Sequence, residues 1–250
     1  YNPIDGSEDG VNNPGRYDAV NRYGDEFYSL NNATSLVDYW GLTSGLRRFY
    51  RTGYREVDLV DYDTKNFKAN AAFHLRTNPD KESASPELIF SSSFGSGTTV
   101  YQGDNRFRLQ NILFFQNRLE YRLKDKYFIR AYATNEDAGN SYDPYFTALI
   151  MQNKAKSDEL WSNDYSTFWK TKGYSKEMIK LGYPELKFNP NTGLFDPFDF
   201  AAADKWLIDN RDTLAYWHNL ATEFANGKGG NSDPLISPFY EPGTARYDSL

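Results

Sequence analysis

Few residue groups in this chain have the types and spacing that covalent chemistry requires. Cysteine is absent and histidine occurs twice, as His74 and His218, so thiol chemistry and a disulfide framework are excluded. His74 has no second His or Cys near it in sequence and reads as an ordinary residue of a polar face, not a metal ligand. The pair Glu136-Asp137, beside Gly139-Asn140, invites a glycosidase reading. Adjacent residues on a strand point to opposite faces, however, so these two carboxylates cannot flank one bond. The acidic run Asp5-Gly6-Ser7-Glu8-Asp9-Gly10 lacks the alternating oxygen ligands and closing Glu of an EF-hand loop. No Gly-x-Ser-x-Gly elbow, His-Glu-x-x-His pair or phosphate loop occurs. The expectation is a chain that is not an enzyme and carries no metal or cofactor.

What remains is recognition chemistry. Tyr101-Gln102-Gly103-Asp104-Asn105-Arg106 follows Gly95 and Gly97 and so falls at a strand end. It could touch a ligand through Tyr101, Gln102, Asp104, Asn105 and Arg106. The favoured reading is a turn in which Asp104 and Asn105 bond the backbone and Arg106 meets a carboxylate. Trp161, Trp169 and Trp217, with their tyrosine neighbours, could stack on sugars or grip a protein partner. Most of them are better explained as a small aromatic core, because buried aromatics carry much of a small unit's packing energy. Packing is also the default for His218, beside Trp217.

The elements that would position these groups differ along the chain. Residues 1–57 read as irregular and polar, with turn clusters at Asn2–Gly6 and Asn12–Gly15 and a short helix over Ala33–Gly41. Residues 58–140 alternate with period two. In Asn66–Arg76 the apolar Phe67, Ala69, Ala71, Phe73 and Leu75 share one face. Lys68, Asn70, His74 and Arg76 share the other. The run Leu113–Leu123 repeats the pattern, with Gln116, Arg118, Glu120 and Arg122 on its polar face, and meets Tyr127–Ala133, which carries Arg130, across the tight connection 124–126. Such strands approach the 9–11 residues of membrane strands. The connections here are short, while those before 58 and after 140 are long. Residues 141–250 read as a loop region with short helices, over Pro144–Gln152, Phe198–Ile208 and Asp212–Phe224.

Composition bounds the rest. Aromatics make up 17% of the 250 residues, a bias that suits membrane interfaces, wet clefts and recognition surfaces. A secreted β-rich or glycan-binding module would share it. The net charge of −6 lacks the basic footprint of a nucleic-acid partner. No stretch approaches the length of an uninterrupted apolar helix that spans a membrane. The chain opens at Tyr1 without a recognisable signal peptide.

Several segments resemble the TonB-dependent receptors of the Bacteroidetes outer membrane, of the large type with a carboxypeptidase-like regulatory domain. They are Asp58–Tyr62, Thr64–Asn70, Thr98–Arg106 and Phe128–Asp143, with Gly15–Asn21 near the start and Pro242–Asp248 near the end. Tyr101–Arg106 is the most specific. The resemblance implies an all-β fold: a partial transmembrane β-barrel, about four of roughly 22 strands, with long extracellular loops containing short helices. Residues 58–140 would supply the strands with short periplasmic turns. Residues 1–57 and 141–250 would supply the loops. Lys68, Asn70, His74, Arg76, Arg118, Glu120 and Arg130 would line the lumen. The implied function is uptake of a ligand too large for porins. The implied partners are the remainder of the barrel and its plug, TonB through that plug, surface lipoproteins or other outer-membrane proteins, and the lipid bilayer. The chain would then be a piece of a longer protein. A transporter-like barrel serving as a structural subunit and a secreted glycan-binding module are the alternatives.

Overall fold

The computed structural model describes residues 22–30, 45–46, 48–81, 84–102 and 106–250. They fall into two compact units: one formed by residues up to Leu59 together with Phe146–Leu250, the other by Val60–Tyr145.

The second unit is a four-stranded antiparallel sheet, in the order β5 (Lys65–Arg76), β6 (Glu87–Gln102), β7 (Arg106–Leu123), β8 (Tyr127–Asp137). Neighbours in sequence are neighbours in space, as expected for strands joined by short turns. The β7–β8 turn is closed by the Lys126 amide donating to the Leu123 carbonyl (3.1 Å), with Asp125 in the left-handed region at φ 59°. Side-chain alternation and register put matching residues in rows across the strands. Phe73 pairs with Phe90, Phe90 with Leu119, and Leu119 with Ala131. One residue along, His74 pairs with Ile89, Ile89 with Glu120, and Glu120 with Arg130. The sheet thus has one apolar and one charged face.

The first unit is mainly helical. Its small strands are β1 (Arg22–Tyr23), β2 (Tyr28–Leu30), β3 (Arg48–Tyr50), β4 (Tyr54–Arg55), β9 (Phe188–Asn189) and β10 (Leu194–Phe195). Its helices are α1 (Glu56–Leu59), α2 (Pro144–Ala155, whose first two residues belong to the sheet unit), α3 (Asp158–Lys172), α4 (Tyr174–Lys180), α5 (Phe200–Asp209), α6 (Arg211–Asn226) and α7 (Ala245–Asp248). Helix α3 has its ends written into the sequence. The Ser157 hydroxyl accepts from the Leu160 amide, acids open the first turn, Lys170 and Lys172 close the last, and Gly173 takes the left-handed φ of 72° that ends it. Trp161, Tyr165 and Trp169 recur every fourth residue and form one buried stripe. The stripe meets Leu214, His218, Ala221 and Ala225 of α6, with Leu46 and Phe49 completing the core.

Two buried cations tie this core to its surroundings. Arg51 donates to the carbonyls of Gln152 (2.9 Å) and Lys156 (2.6 Å) and pairs with Asp158. The Lys156 ammonium donates to Asp164 (2.5 Å) and to the carbonyls of Ala225 (2.7 Å) and Gly227 (2.9 Å). Both therefore donate to carbonyls at helix ends, where the backbone lacks a full set of intrahelical donors; the Gln152 carbonyl also accepts from the Lys156 amide at 2.9 Å.

This architecture corrects the expected fold class. Of the described residues 33% are helical and 33% stranded, and among them are seven helices and no sheet that closes into a barrel. It is mixed α/β, not all-β. The physical reason is the length and burial of α3 and α6. These are not turns decorating a loop but amphipathic helices that share a core of their own. The helix expected over Ala33–Gly41, the turn cluster Asn2–Gly6 and the acidic run Asp5–Gly10 lie outside the described residues, as does most of the irregular stretch 1–57.

Candidate functional site

The sequence points to seven residues on the polar face of the sheet, and the register places all of them there. Lys68, Asn70, His74 and Arg76 lie on β5, Arg118 and Glu120 on β7, and Arg130 on β8. Two further members, Glu87 and Arg122, complete the chemistry. His74 Nδ1 lies 2.9 Å from Glu87 Oε1, and Arg122 donates from Nε to Glu87 Oε2 (2.8 Å), with a terminal nitrogen 2.7 Å from the same oxygen. Arg130 Nε donates to Glu120 Oε2 at 2.7 Å, and Arg122 reaches Glu120 Oε1 at 3.8 Å. The result is one connected chain of polar contacts across four strands: His74, Glu87, Arg122, Glu120, Arg130. Arg130 also lies over the ring of Phe128, 5.3 Å from its centroid.

Glu120 is almost wholly covered, as is Ile89 between it and His74.

Glu87 escapes the sequence pattern because Leu88 reads as the strand start. Carrying the alternation of Leu88 and Phe90 back one residue would have put Glu87 on the charged face. Arg108 is a second residue without a sequence signal. It is 1% exposed, and its Nη2 donates to the Asp63 carbonyl (2.9 Å) and to Asp61 (3.3 Å). Those partners lie more than forty positions away, where no local pattern reveals them.

The other predicted contacts are dispersed. Tyr101 is exposed at the end of β6, and Gln102 pairs in register with Arg106. Asp104 and Asn105 lie outside the described residues. Trp161 and Trp169 are core residues with no surface to offer a ligand. Trp217 is partly buried and stacks on Tyr174, with ring centroids 4.8 Å apart. His218 is enclosed. Its Nε2 lies 3.0 Å from the Gly45 carbonyl, which can only accept, so Nε2 carries the proton. Nδ1 then accepts from the Tyr165 hydroxyl at 2.5 Å. Gly45 can make this approach only as glycine: its φ is +80°, and a Cβ would lie 2.4 Å from Met178 Sδ.

The opposite face of the sheet is unusual in another way. Phe67, Phe73, Leu75, Phe115, Leu119 and Ile129 all stand exposed, Phe73 at 72%. Tyr121 and Tyr127 meet near the turn end of that face with ring centroids 6.2 Å apart.

Among the described residues no three His, Cys, Asp or Glu gather as metal ligands would, and no helix is long and apolar enough to cross a membrane. No known protein family, curated protein or solved structure matches the chain. Function is therefore read from the chemistry of the two sheet faces.

Proposed function

We propose that this chain is part of an outer-membrane receptor of the TonB-dependent type, which takes up a ligand too large for porins. Its sheet unit contacts lipid and its helical unit belongs to the extracellular side. The observation that carries the reading is the uncovered apolar face of the sheet. Soluble monomers rarely expose so many contiguous large apolar side chains, and such a patch marks a lipid or protein contact. Three further features support lipid. The strands run 12, 16, 18 and 11 residues, enough to cross a bilayer. From Tyr127 to Asp137 the face extends about 33 Å at ~3.3 Å per residue, or roughly 25 Å of membrane depth at a tilt near 40°. Tyrosines stand near one end, where an interface would be. Ser92, Asn117 and Asn135 are polar interruptions within the apolar face, and Lys65, Ser96, Thr98 and Asp137 stand on the same face towards the end away from the tyrosines.

In lipid the edge strands β5 and β8 must be paired, because unsatisfied backbone groups are costly there. The reading thus includes further strands from the parent protein, a plug and coupling to TonB. The resemblance of Thr98–Arg106 and Phe128–Asp143 to that family supports the same assignment.

Because the chain has no cysteine, single cysteines report position cleanly. Phe73→Cys and Ile129→Cys sit on the apolar face and Tyr132→Cys, also well exposed, on the charged one. In outer-membrane preparations the first two should resist a water-soluble maleimide yet react with a lipophilic one. Tyr132→Cys should react with the water-soluble reagent. Equal labelling of all three by the water-soluble reagent, with the protein free of the membrane fraction, would sink the proposal in favour of a secreted module.

A second reading, an interaction subunit of an outer-membrane complex, draws on the helical unit. Its β9–β10 hairpin exposes Phe188, Leu194 and Phe195, with Phe200 nearby in sequence, and Phe188 and Phe195 meet edge to face at 5.5 Å. Membrane labelling as above, combined with intact uptake after deletion and stable co-purification of a surface lipoprotein, would favour it over transport.

A further inference from the structure

On the charged face of the sheet, acids and cations do not lie at the same depth. The side chains of Glu120 and Glu87 are 4% and 17% exposed, whereas Arg122 and Arg130 keep 45% and 43% of theirs. Each acid thus sits behind the guanidinium that neutralises it, and the face turned outward is cationic. Arg76 from β5 and Lys124 and Lys126 from the turn, all exposed, extend that surface. Together these groups line a groove of about 960 Å³, with five cations against the carboxylates of Glu87, Glu120 and Asp125. A local excess of two positive charges stands out on a chain whose net charge is −6. Arg118, one row further along β7, adds an enclosed Nε with no hydrogen-bond partner.

We infer that this groove binds a small polyanion, a molecule carrying two or more phosphate or carboxylate groups. Guanidiniums match both groups with paired, charge-assisted donors. A single anion is not enough: Arg76 and Arg130 stand on the outer strands of the sheet, three strand spacings or roughly 14 Å apart, so one ligand meets both only if its charges are spread. The volume lies in the range of small-molecule pockets. The exposed ring of Phe128, beneath Arg130, offers an apolar surface for the scaffold between the anionic groups. The inference does not depend on the sheet's other face meeting lipid, and failure of the cysteine labelling would leave it standing.

The test is isothermal titration of the full chain, in detergent where it needs detergent, with inorganic tripolyphosphate as the probe. Inorganic phosphate and an Asp/Glu-rich peptide are the comparisons. Arg76 and Lys126 form no ion pair among the described residues, so Arg76→Gln with Lys126→Gln should leave the melting temperature unchanged. Tripolyphosphate should bind roughly tenfold or more tightly than phosphate, and the double variant should lose about tenfold in affinity. Binding should weaken strongly as salt rises. Lys205→Gln, on the exposed face of α5, should change nothing. No binding of tripolyphosphate, unchanged affinity in the folded double variant, or an equal loss with Lys205→Gln overturns the inference. So does tighter binding of the acidic peptide, which would make the groove a protein-docking face.

Discussion

The two units of this chain solve burial in opposite senses. In the helical unit the largest aromatics, Trp161, Trp169, Tyr165 and Phe49, are almost fully enclosed, and most charged side chains stand outside. In the sheet unit Phe67, Phe73, Leu75 and Ile129 are exposed, while Glu120 is covered. A helix pair in water hides its apolar stripe because about 25 cal/mol is gained per Å² of apolar surface removed. A sheet that leaves that surface bare has not realised the gain among its own residues. The difference teaches that the helical unit contains its own core, whereas the sheet leaves one apolar face uncovered, as the proposed contact with lipid requires.

Trp169→Ala should give the largest effect. Trp169 is wholly buried, meets Tyr174 and Trp217 edge-on and stacks on His218 at 4.4 Å. Its loss should destabilise the helical unit by about 3–5 kcal/mol through transfer and cavity terms together. Every tryptophan lies outside Val60–Tyr145, so denaturation followed by tryptophan fluorescence reads this unit alone. A shift below about 1 kcal/mol would mean that the core is not the stabilising element described.

Acid should distinguish the units next. Burial pushes the His218 imidazole down to about 4 from its ordinary value of 6.5. Protonating it would place a second donor against the Tyr165 hydroxyl and enclose an unpaired charge. The folded state therefore holds fewer protons than the unfolded chain between these values. The stabilisation is complete above pH 6.5 and is lost as pH falls towards about 4. The loss is on the order of 3 kcal/mol. Fluorescence-detected denaturation at pH 7 and at about pH 4.5 should show it, superimposed on the titration of carboxylates. His218→Gln should remove that component, and identical pH dependence in parent and variant would refute the assignment. The sheet's one histidine, His74, is half exposed, so no enclosed imidazole adds a matching component there.

How much of this was legible in sequence follows the range of each signal. The run Asn66–Arg76 alternates strictly, and β5 spans Lys65–Arg76. The turn 124–126 and the rows of the charged face follow from the same period. Strand β7 extends back to Arg106, but the chain between Arg108 and Ile112 breaks alternation, with Asn111 at φ 56°. The start of that strand was therefore hidden. The helices expected over Pro144–Gln152, Phe198–Ile208 and Asp212–Phe224 appear as α2, α5 and α6, whereas Trp161, Tyr165 and Trp169 read from sequence only as core aromatics, though their spacing of four places them on α3. The clips made by Arg51 and Lys156 had no local signature. Arg51 meets carbonyls 101 and 105 positions away, so only the folded chain brings donor and acceptor together.

The smallest expected effect is the sharpest test of the contrast. Phe73 is as large a hydrocarbon as many core residues, but it is 72% exposed and faces Phe90 across β5 and β6. In aqueous solution or mild detergent, Phe73→Ala should cost less than about 1 kcal/mol, the scale of one cross-strand aromatic pair. Hydrogen exchange at the β5 and β6 amides would measure it. Reconstituted in a bilayer, the same substitution should weaken insertion by about 2 kcal/mol, because the ring's transfer from water is then realised. A large loss in water would mean that something in this chain covers Phe73 in solution. No loss in either medium would mean that the face meets neither lipid nor partner, and the contrast with Trp169 would then be one of packing within the chain alone.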